Sequence, residues 1–302
     1  MSSGSQTRTL LAAALGIPLL FAATGALQTR IDANIPTAQP SDTLLLSSPA
    51  AAKKLSFGYD ALLADIYWTR VVQYFGERVG TRGARFDLLW PLLDITTTLD
   101  PKLMVAYRFG AIFLSEPAGS GTGRPDLAVE LVKRGIAANP DQWQLYSDLG
   151  FIYYWRMKDF QDAAGAYLAG SKVPQAPPFL KIMAARVAAQ GGSVETSRMI
   201  WSELYESTKD PAVRERAAEM LQALKAQEDE LHLDEIAGEY QKRFGKYPSS
   251  TADLRAAGLL NGIPVDAAGY PYAFGVDGKA RLDPRSSVVI PAAPQTAPDA
   301  SK

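Results

Sequence analysis

Cysteine is absent from this chain, and histidine occurs once, at His232. Without cysteine there are no disulfides, no thiolate metal sites and no cysteine nucleophiles. A single imidazole leaves little room for histidine-based metal binding or acid–base catalysis, because every candidate serine would need the same histidine. The sequence therefore predicts a protein that is not an enzyme and that has no cofactor and no metal site.

An excess of charge of one sign is also lacking, since 31 lysines and arginines are balanced by 32 aspartates and glutamates. A basic excess is typical of nucleic-acid binding, and a long acidic run is typical of a solvating tail. Hydrophobic residues make up 47% of the chain, close to the globular average, so most of the chain can bury a core. We expect partners other than nucleic acid.

An uncharged, mostly apolar run at residues 10–27 follows a polar leader, residues 1–9, that carries Arg8. At about 1.5 Å per residue the run spans about 27 Å, enough to cross a bilayer core. Arg8 favours a cytoplasmic leader, with the bulk of the chain outside the cytoplasm on the periplasmic side of a bacterial envelope. The alternatives to this transmembrane anchor are a cleaved signal peptide, with Thr24–Ala26 as cleavage site, and a buried core helix.

The segment that follows, residues 28–57, is polar and contains several prolines. This composition predicts an extended tether and argues against the buried core helix. Leu44–Leu46 form its apolar exception, and we interpret them as a docking patch on the folded body.

Residues 58–211 carry a helical hydrophobic period that prolines interrupt at regular intervals. The interruptions at Pro101, Pro140, Pro178 and Pro211 are 39, 38 and 33 residues apart. This spacing is expected of stacked helix pairs, and proline ends a helix because it has no N–H for the next turn. The pattern predicts about four pairs, at 58–99, 101–139, 141–174 and 178–208.

The segments superimpose within this frame. Residues 107–113 lie over residues 147–153 when Gly110 and Gly150 are aligned. The order of a large apolar residue, a glycine and then an aromatic residue resembles the tetratricopeptide repeat (TPR). The resemblance implies an α-solenoid in which small residues of first helices admit the paired helix and bulky residues of second helices fill the gaps. By position, these are Ala64, Gly110, Gly150 and Ala185, and Val132, Tyr167 and Trp201.

A long helix is predicted from Ala212 to Arg243, and glycine- and proline-containing motifs follow it to residue 283. These motifs, Gly245-Lys246-Tyr247-Pro248, Gly258-Leu259-Leu260 and residues 263–274, resemble the globular end of type II secretion pseudopilins. Ala267 departs from that family, which has proline there, and the family's later calcium-binding loop is missing. The resemblance implies a small helix-plus-β-hairpin cap within 212–283, and Asp277-Gly278 predicts the hairpin turn. The proline- and alanine-rich tail, residues 284–302, is predicted to be disordered.

Two clusters invite a chemical interpretation that we do not favour. Residues 119–124 are glycine-rich, but they lack the Lys-Ser/Thr ending of a phosphate loop and follow a helix, so we predict an insertion between helices. His232 has acidic neighbours on a predicted helix, at Glu228, Asp229, Glu230 and Asp234. We predict a solvated helix face there.

In TPR proteins, certain first-helix positions face a concave groove that binds peptides. The resemblance, carried over by position, implies a partner-binding groove lined by Asp65, Trp68, Ala111, Leu114, Phe151, Tyr154 and Trp155. Aromatic side chains in a concavity are typical binding hot spots. The competing interpretations are core packing, and burial of the groove by the linker or by the cap.

The sequence as a whole therefore predicts a mainly α, membrane-tethered and exported scaffold that binds a protein or peptide partner. The pseudopilin likeness implies a secretion or pilus-type assembly. The alternatives are a structural subunit that self-associates or joins a filament, and an exported enzyme whose site is unrecognised.

Overall fold

The computed structural model describes residues 48–81 and 83–290, together with residues 17, 20, 22–27, 30, 44 and 46. The described chain is mainly helical, as predicted, with one two-stranded antiparallel sheet. In chain order the helices are α1 (Pro49–Leu55), α2 (Asp60–Gly76), α3 (Leu89–Leu99), α4 (Met104–Ser115), α5 (Pro125–Ala138), α6 (Trp143–Phe151), a π-helix (Ile152–Met157), α7 (Phe160–Ser171), α8 (Phe179–Gln190), α9 (Val194–Ser207), α10 (Pro211–Phe244) and α11 (Thr251–Ala256). The strands are β1 (Ala273–Phe274) and β2 (Ala280–Arg281).

The leader, residues 1–9, lies outside the described residues, as do most residues of the anchor predicted at 10–27. The described members of the anchor, residues 17, 20 and 22–27, are helical. Among the described residues, no helix combines the length and the apolar character needed to cross a bilayer.

The predicted tether is shorter than expected, because its last residues form α1. Ser48 begins this helix with a hydroxyl that accepts a hydrogen bond from the N–H of Ala51, and Pro49 occupies the first turn, where its missing N–H costs nothing. Leu44 and Leu46 pack against the main hydrophobic core. The described end of the predicted tether is therefore part of the folded body.

Each helix from α2 to α10 packs on the next one along the chain, and α4 also contacts α6 while α3 contacts α5. Ion pairs join residues 40 positions apart: Asp94 with Arg134, Arg108 with Asp148, and Glu116 with Arg156. The last two pairs join the same two stretches of helix at either end. Residues 108–116 and 148–156 therefore lie side by side and run in the same direction.

Glycines set the spacing between neighbouring helices. A Cβ atom on Gly110 would lie 2.6 Å from the side chain of Leu93 and 2.9 Å from that of Leu131. On Gly150 it would lie 2.8 Å from the ring of Tyr167. The bulky residues of second helices are buried in the same core, namely Val132, Tyr167 and Trp201.

The long helix α10 joins two hydrophobic cores. Its first half contributes Ala217, Met220 and Leu224 to the main core, and its second half contributes Leu233 to a smaller core with Leu254, Tyr272 and Ala280. The Asp210 carboxylate accepts a hydrogen bond from the N–H of Ala212 at 2.9 Å, which caps the start of α10. Gly245 ends the helix in the left-handed region, at φ 72°.

Three of the four carboxylates around His232 hold the hairpin. Asp229 accepts a hydrogen bond from the Tyr272 hydroxyl at 3.1 Å, and Glu230 accepts one from the N–H of Leu282 at 2.9 Å. Asp234 accepts the N–H of Ala280 at 2.7 Å and pairs with Lys279. The solvated face predicted for these residues is therefore wrong for Asp229, Glu230 and Asp234, while His232 itself is exposed.

The residues after the hairpin return along α10. Val288 and Val289 line a cavity together with Arg216, Glu219 and Met220 of that helix. Disorder was predicted from residue 284, but residues 284–290 lie against the protein without forming a helix or strand. Residues 291–302 lie outside the described residues.

A turn at residues 266–270 precedes the hairpin. The buried Asp266 carboxylate accepts hydrogen bonds at 2.9 Å from the N–H groups of Ala268 and Tyr270. Burial raises the pKa of this carboxyl, but the nearby Ser286 hydroxyl and the hydrogen bonds from these backbone groups outweigh burial and leave the pKa below its ordinary value of 3.8.

Acid is expected to loosen this turn. Because the pKa is lower in the folded state, the ionised carboxylate stabilises this turn above pH 3.8, and this stabilisation is lost as the pH falls through the folded-state pKa. Hydrogen exchange at the Ala268 and Tyr270 amides, corrected for intrinsic rates, should lose protection in that range. Asp266→Asn should show weaker protection at neutral pH and a flatter pH dependence. An equally steep acid loss in the variant would assign the effect to another group.

Candidate partner-binding surface

Two clusters of aromatic side chains lie on the first helices of the successive pairs. The first cluster joins α2 to α4, where the rings of Phe75 and Phe113 stack with centroids 3.9 Å apart. Trp68 is half-buried, and its ring lies parallel to that of Phe113 at 6.4 Å. Phe109, one turn earlier on α4, contacts Phe113 and is half exposed. One side of Trp68 is therefore used for packing between helices.

The second cluster lies where α6 passes into the π-helix. Phe151 and Trp155 stack at 6.5 Å, and Tyr154 contacts both Trp155 and Phe160. About half of the surface of Phe151 and of Trp155 is exposed, whereas Tyr154 is half-buried. The ammonium group of Lys158 lies 4.8 Å from the centre of the Trp155 ring, within range of a cation–π interaction.

The π-helix at Ile152–Met157 determines how this cluster is presented. Its wider turn keeps Ile152 and Tyr153 in the core and leaves Trp155 exposed. Lys158 ends it in the left-handed region, at φ 58°, an uncommon conformation for a residue other than glycine. Short π-helices are rare and often occur at functional sites. Periodicity at 3.6 residues did not reveal this one.

The seven residues of the predicted groove fall into four groups by their exposure to solvent. Asp65 is exposed, and Trp68 and Tyr154 are half-buried. Phe151 and Trp155 lie together and are half exposed. Ala111 and Leu114 were expected to line the groove, but they are only 2% and 1% exposed and belong to the main core.

Ala111 and Leu114 are buried because of tertiary contacts that the repeat alignment does not contain. The glycine-rich insertion folds back over the end of α4, where the Thr122 hydroxyl and the Arg124 N–H donate to the Leu114 carbonyl at 2.7 and 2.8 Å. Leu114 lies beneath this loop, and the small side chain of Ala111 lies within the helix packing. The surface therefore does not continue through these two positions.

The same insertion has the character predicted from its sequence. Its backbone N–H groups at Ser120, Gly121, Thr122 and Gly123 donate to carbonyls of Phe113, Glu116 and Pro117. Donors used in this way do not cradle a phosphate. The loop also meets the turn after α2, where the Gly80 N–H donates to the Gly119 carbonyl at 3.1 Å.

Two exposed apolar residues of α4, Phe109 and Ile112, were not predicted from the sequence to be part of a surface. They lie three positions apart on the face of α4 opposite the buried Tyr107 and Leu114. Their spacing was a usable signal, but the repeat alignment gives no indication of their exposure, since the aligned residues Leu149 and Ile152 are buried. We define the aromatic surface by its exposed members and its half-buried margins, namely Phe109, Ile112, Phe151 and Trp155 with Trp68 and Tyr154.

The charges beside this surface are mostly paired with one another. Arg108 donates to Asp148 at 2.7 Å, and this hydrogen bond raises the pKa of the guanidinium above its ordinary value. Arg156 of the π-helix pairs with Glu116, the residue that follows α4. Paired charges demand no charged ligand, so the aromatic surface suits an apolar side chain or helix face of a protein.

Within the described part of the chain, no three acidic or histidine side chains are grouped so as to hold a metal ion. No protein-family model matches the chain, and comparison with curated proteins finds no match.

Proposed function

We propose that this protein is a scaffold, tethered to a membrane through residues 10–27, that binds a protein partner on the aromatic surface. In this proposal the helices from α2 to α9 form a TPR-like α-solenoid, and α10, α11 and the hairpin form a pseudopilin-like cap. The bulk of the chain lies on the periplasmic side of a bacterial envelope, as part of a secretion or pilus-type assembly.

The solenoid is supported by the repeated 40-residue offset. First helices pair with first helices through Arg108–Asp148 and Glu116–Arg156, and second helices pair through Asp94–Arg134. Equivalent residues of successive units lie side by side only when the units stack by the same rotation. A fold with an irregular helix arrangement would not keep one offset in three ion pairs.

Binding of a partner is supported above all by the exposure of Phe151 and Trp155. Large aromatic residues are usually buried, and adjacent exposed ones mark interaction sites. Neither ring is needed to fill the core, because Ile152 and Tyr153 already fill it there. The stacked pair therefore presents a rigid apolar contact at little cost in conformational entropy.

A pull-down from detergent-solubilised membranes tests the proposal, with the native chain compared with Phe151→Ala/Trp155→Ala. Hot-spot residues contribute at least about 2 kcal/mol each, so recovery of a specific partner should fall by more than about tenfold. The matched control is Met199→Ala/Tyr205→Ala, which removes two exposed side chains of α9. We expect the control to recover the partner as the native chain does.

Equal recovery by both double variants would contradict binding at the aromatic surface. The recovered partner could be another copy of this chain, with the aromatic double variant also losing its own oligomer in light scattering. That result would favour the self-associating structural subunit.

A further inference from the structure

An exposed apolar patch lies at the start of the helix stack, where α1 turns into α2. Phe57 is 82% exposed and Tyr59 is 71% exposed, values that are unusual for such large side chains. At least half of each of the neighbouring side chains Leu55, Leu62 and Ile66 is exposed as well. We call these five residues the apolar corner.

The corner is held rigidly in an unfavourable conformation. Phe57 has φ 48° and Gly58 has φ 89°, so two successive residues lie in the left-handed region. A bulky residue in this region is a true outlier, and such strain persists only where the surroundings impose it. Here Lys53 pairs with Asp60 at 2.6 Å, and the Tyr59 N–H donates to the Ser56 carbonyl at 2.8 Å. The fold therefore maintains Phe57 in water at a cost in stability.

The corner also lies at the open end of the stack. Tyr59, Leu62 and Ile66 are spaced to share one face of α2, while Ala64 and Tyr67 enter the core. In a solenoid the preceding pair would cover this face, and terminal units normally present polar residues there. The preceding helix, α1, packs on α3 instead. The apolar face of α2 is thus exposed where a polar one is expected.

The chain that leads to the corner identifies its occupant. The predicted anchor ends at Leu27, and Leu44 already packs on the body, so the intervening chain reaches at most about 60 Å at full extension. A body held this close meets the membrane surface at high effective concentration. Aromatic and leucine side chains beside an exposed lysine, here Lys54, are the composition that binds at the lipid interface.

We infer that the apolar corner rests on the lipid interface of the membrane, with Phe57 and Tyr59 at the level of the headgroups. This inference rests on the proposed tether. It adds a second contact to the same bilayer, which orients the helix stack with α2 against the membrane and the cap away from it.

Because the chain has no cysteine, one introduced thiol can carry a fluorophore without further changes. We would label Phe57→Cys with an environment-sensitive dye in the full chain, reconstituted in phosphatidylcholine vesicles with about a quarter phosphatidylglycerol to supply anionic headgroups. The matched control is Val276→Cys, a fully exposed apolar position in the hairpin. Lipids that carry a nitroxide beneath the headgroup act as the quencher, and flotation after an alkaline wash tests the tether separately.

We expect nitroxide lipids to reduce the emission at position 57 by about half, as for a probe about 5–10 Å below the surface, and to leave position 276 unchanged. Equal quenching at both positions, or none at position 57, would overturn the inference. If the chain floats with the vesicles but position 57 is not quenched, the result supports the tether and contradicts the contact of the apolar corner with lipid. If the emission of the dye at position 57 changes with protein concentration and not with lipid, the apolar corner binds a second copy of the chain. This outcome also overturns the inference.

Discussion

Gly150→Ala is expected to destabilise the folded chain by about 1–3 kcal/mol, the usual cost of forcing a methyl group into a packed core. The new Cβ would lie 2.8 Å from the Tyr167 ring, well inside van der Waals contact. Tyr167 has little freedom to move away, because it is almost fully buried. The same burial raises the pKa of its hydroxyl to about 12. Urea denaturation followed by circular dichroism measures the loss.

Gly165→Ala is the matched control, because Gly165 lies on the neighbouring helix α7 and an added Cβ would contact nothing within 4 Å. Alanine favours the helix there, so the control should gain about 0.5–1 kcal/mol. The two variants make the same chemical change with opposite expected signs. If Gly150→Ala matched Gly165→Ala in stability, the close approach of α6 and α7 would not be a determinant of the stack.

Local signals in the sequence were sufficient for the helices and for part of their packing. The proline breaks and the apolar period predicted a mainly helical chain, and the ends of α10 fall within one residue of the prediction. Gly110 and Gly150 were predicted to admit a neighbouring helix, and both backbones do lie against side chains of adjacent helices. These features depend on residues close together in the chain, so a single sequence contains them.

The exposure of the candidate surface depends on contacts that the sequence does not display. Ala111 and Phe151 occupy equivalent places in the repeat, yet Ala111 is buried and Phe151 is half exposed. The difference comes from neighbouring segments, which cover one helix face and leave the other open. The π-helix is a second example, because its wider turn follows from the tertiary surroundings of residues 152–157 and from no residue type alone. Exposure is therefore a property of the whole fold and not of one repeat.

The hairpin contacts illustrate the same limit for charged residues. Asp229 and Asp234 have the spacing of an ordinary solvated helix face, but both accept hydrogen bonds from residues more than 40 positions later in the chain. Acidic residues on a helix have the same sequence spacing whether they face solvent or accept hydrogen bonds from another segment. Only the position of the hairpin distinguishes them.

Trp201→Ala should destabilise the fold more than Gly150→Ala does, with a loss of about 3–5 kcal/mol, as is typical when a buried aromatic residue is truncated. Trp201 is fully buried on α9, in the core where that helix meets its neighbours. Its indole N–H has no hydrogen-bond partner among the described residues. The stabilisation that it provides is therefore packing, and Trp201→Phe should recover most of it.

Trp155→Ala provides the opposite case from the same residue type. Half of the Trp155 side chain is exposed, so its removal should change the free energy of unfolding by no more than about 1 kcal/mol while it lowers partner recovery by about tenfold or more. Urea denaturation by circular dichroism and the pull-down, applied to both variants, separate the roles. Because Trp201→Ala impairs the fold, it should lose the partner only in proportion to its unfolded fraction. Two results would contradict this division of roles: a Trp201→Ala variant as stable as the native chain, or a Trp155→Ala variant destabilised as much as Trp201→Ala. In either case packing and recognition would not be divided between α9 and the π-helix as the exposures of the two tryptophans imply.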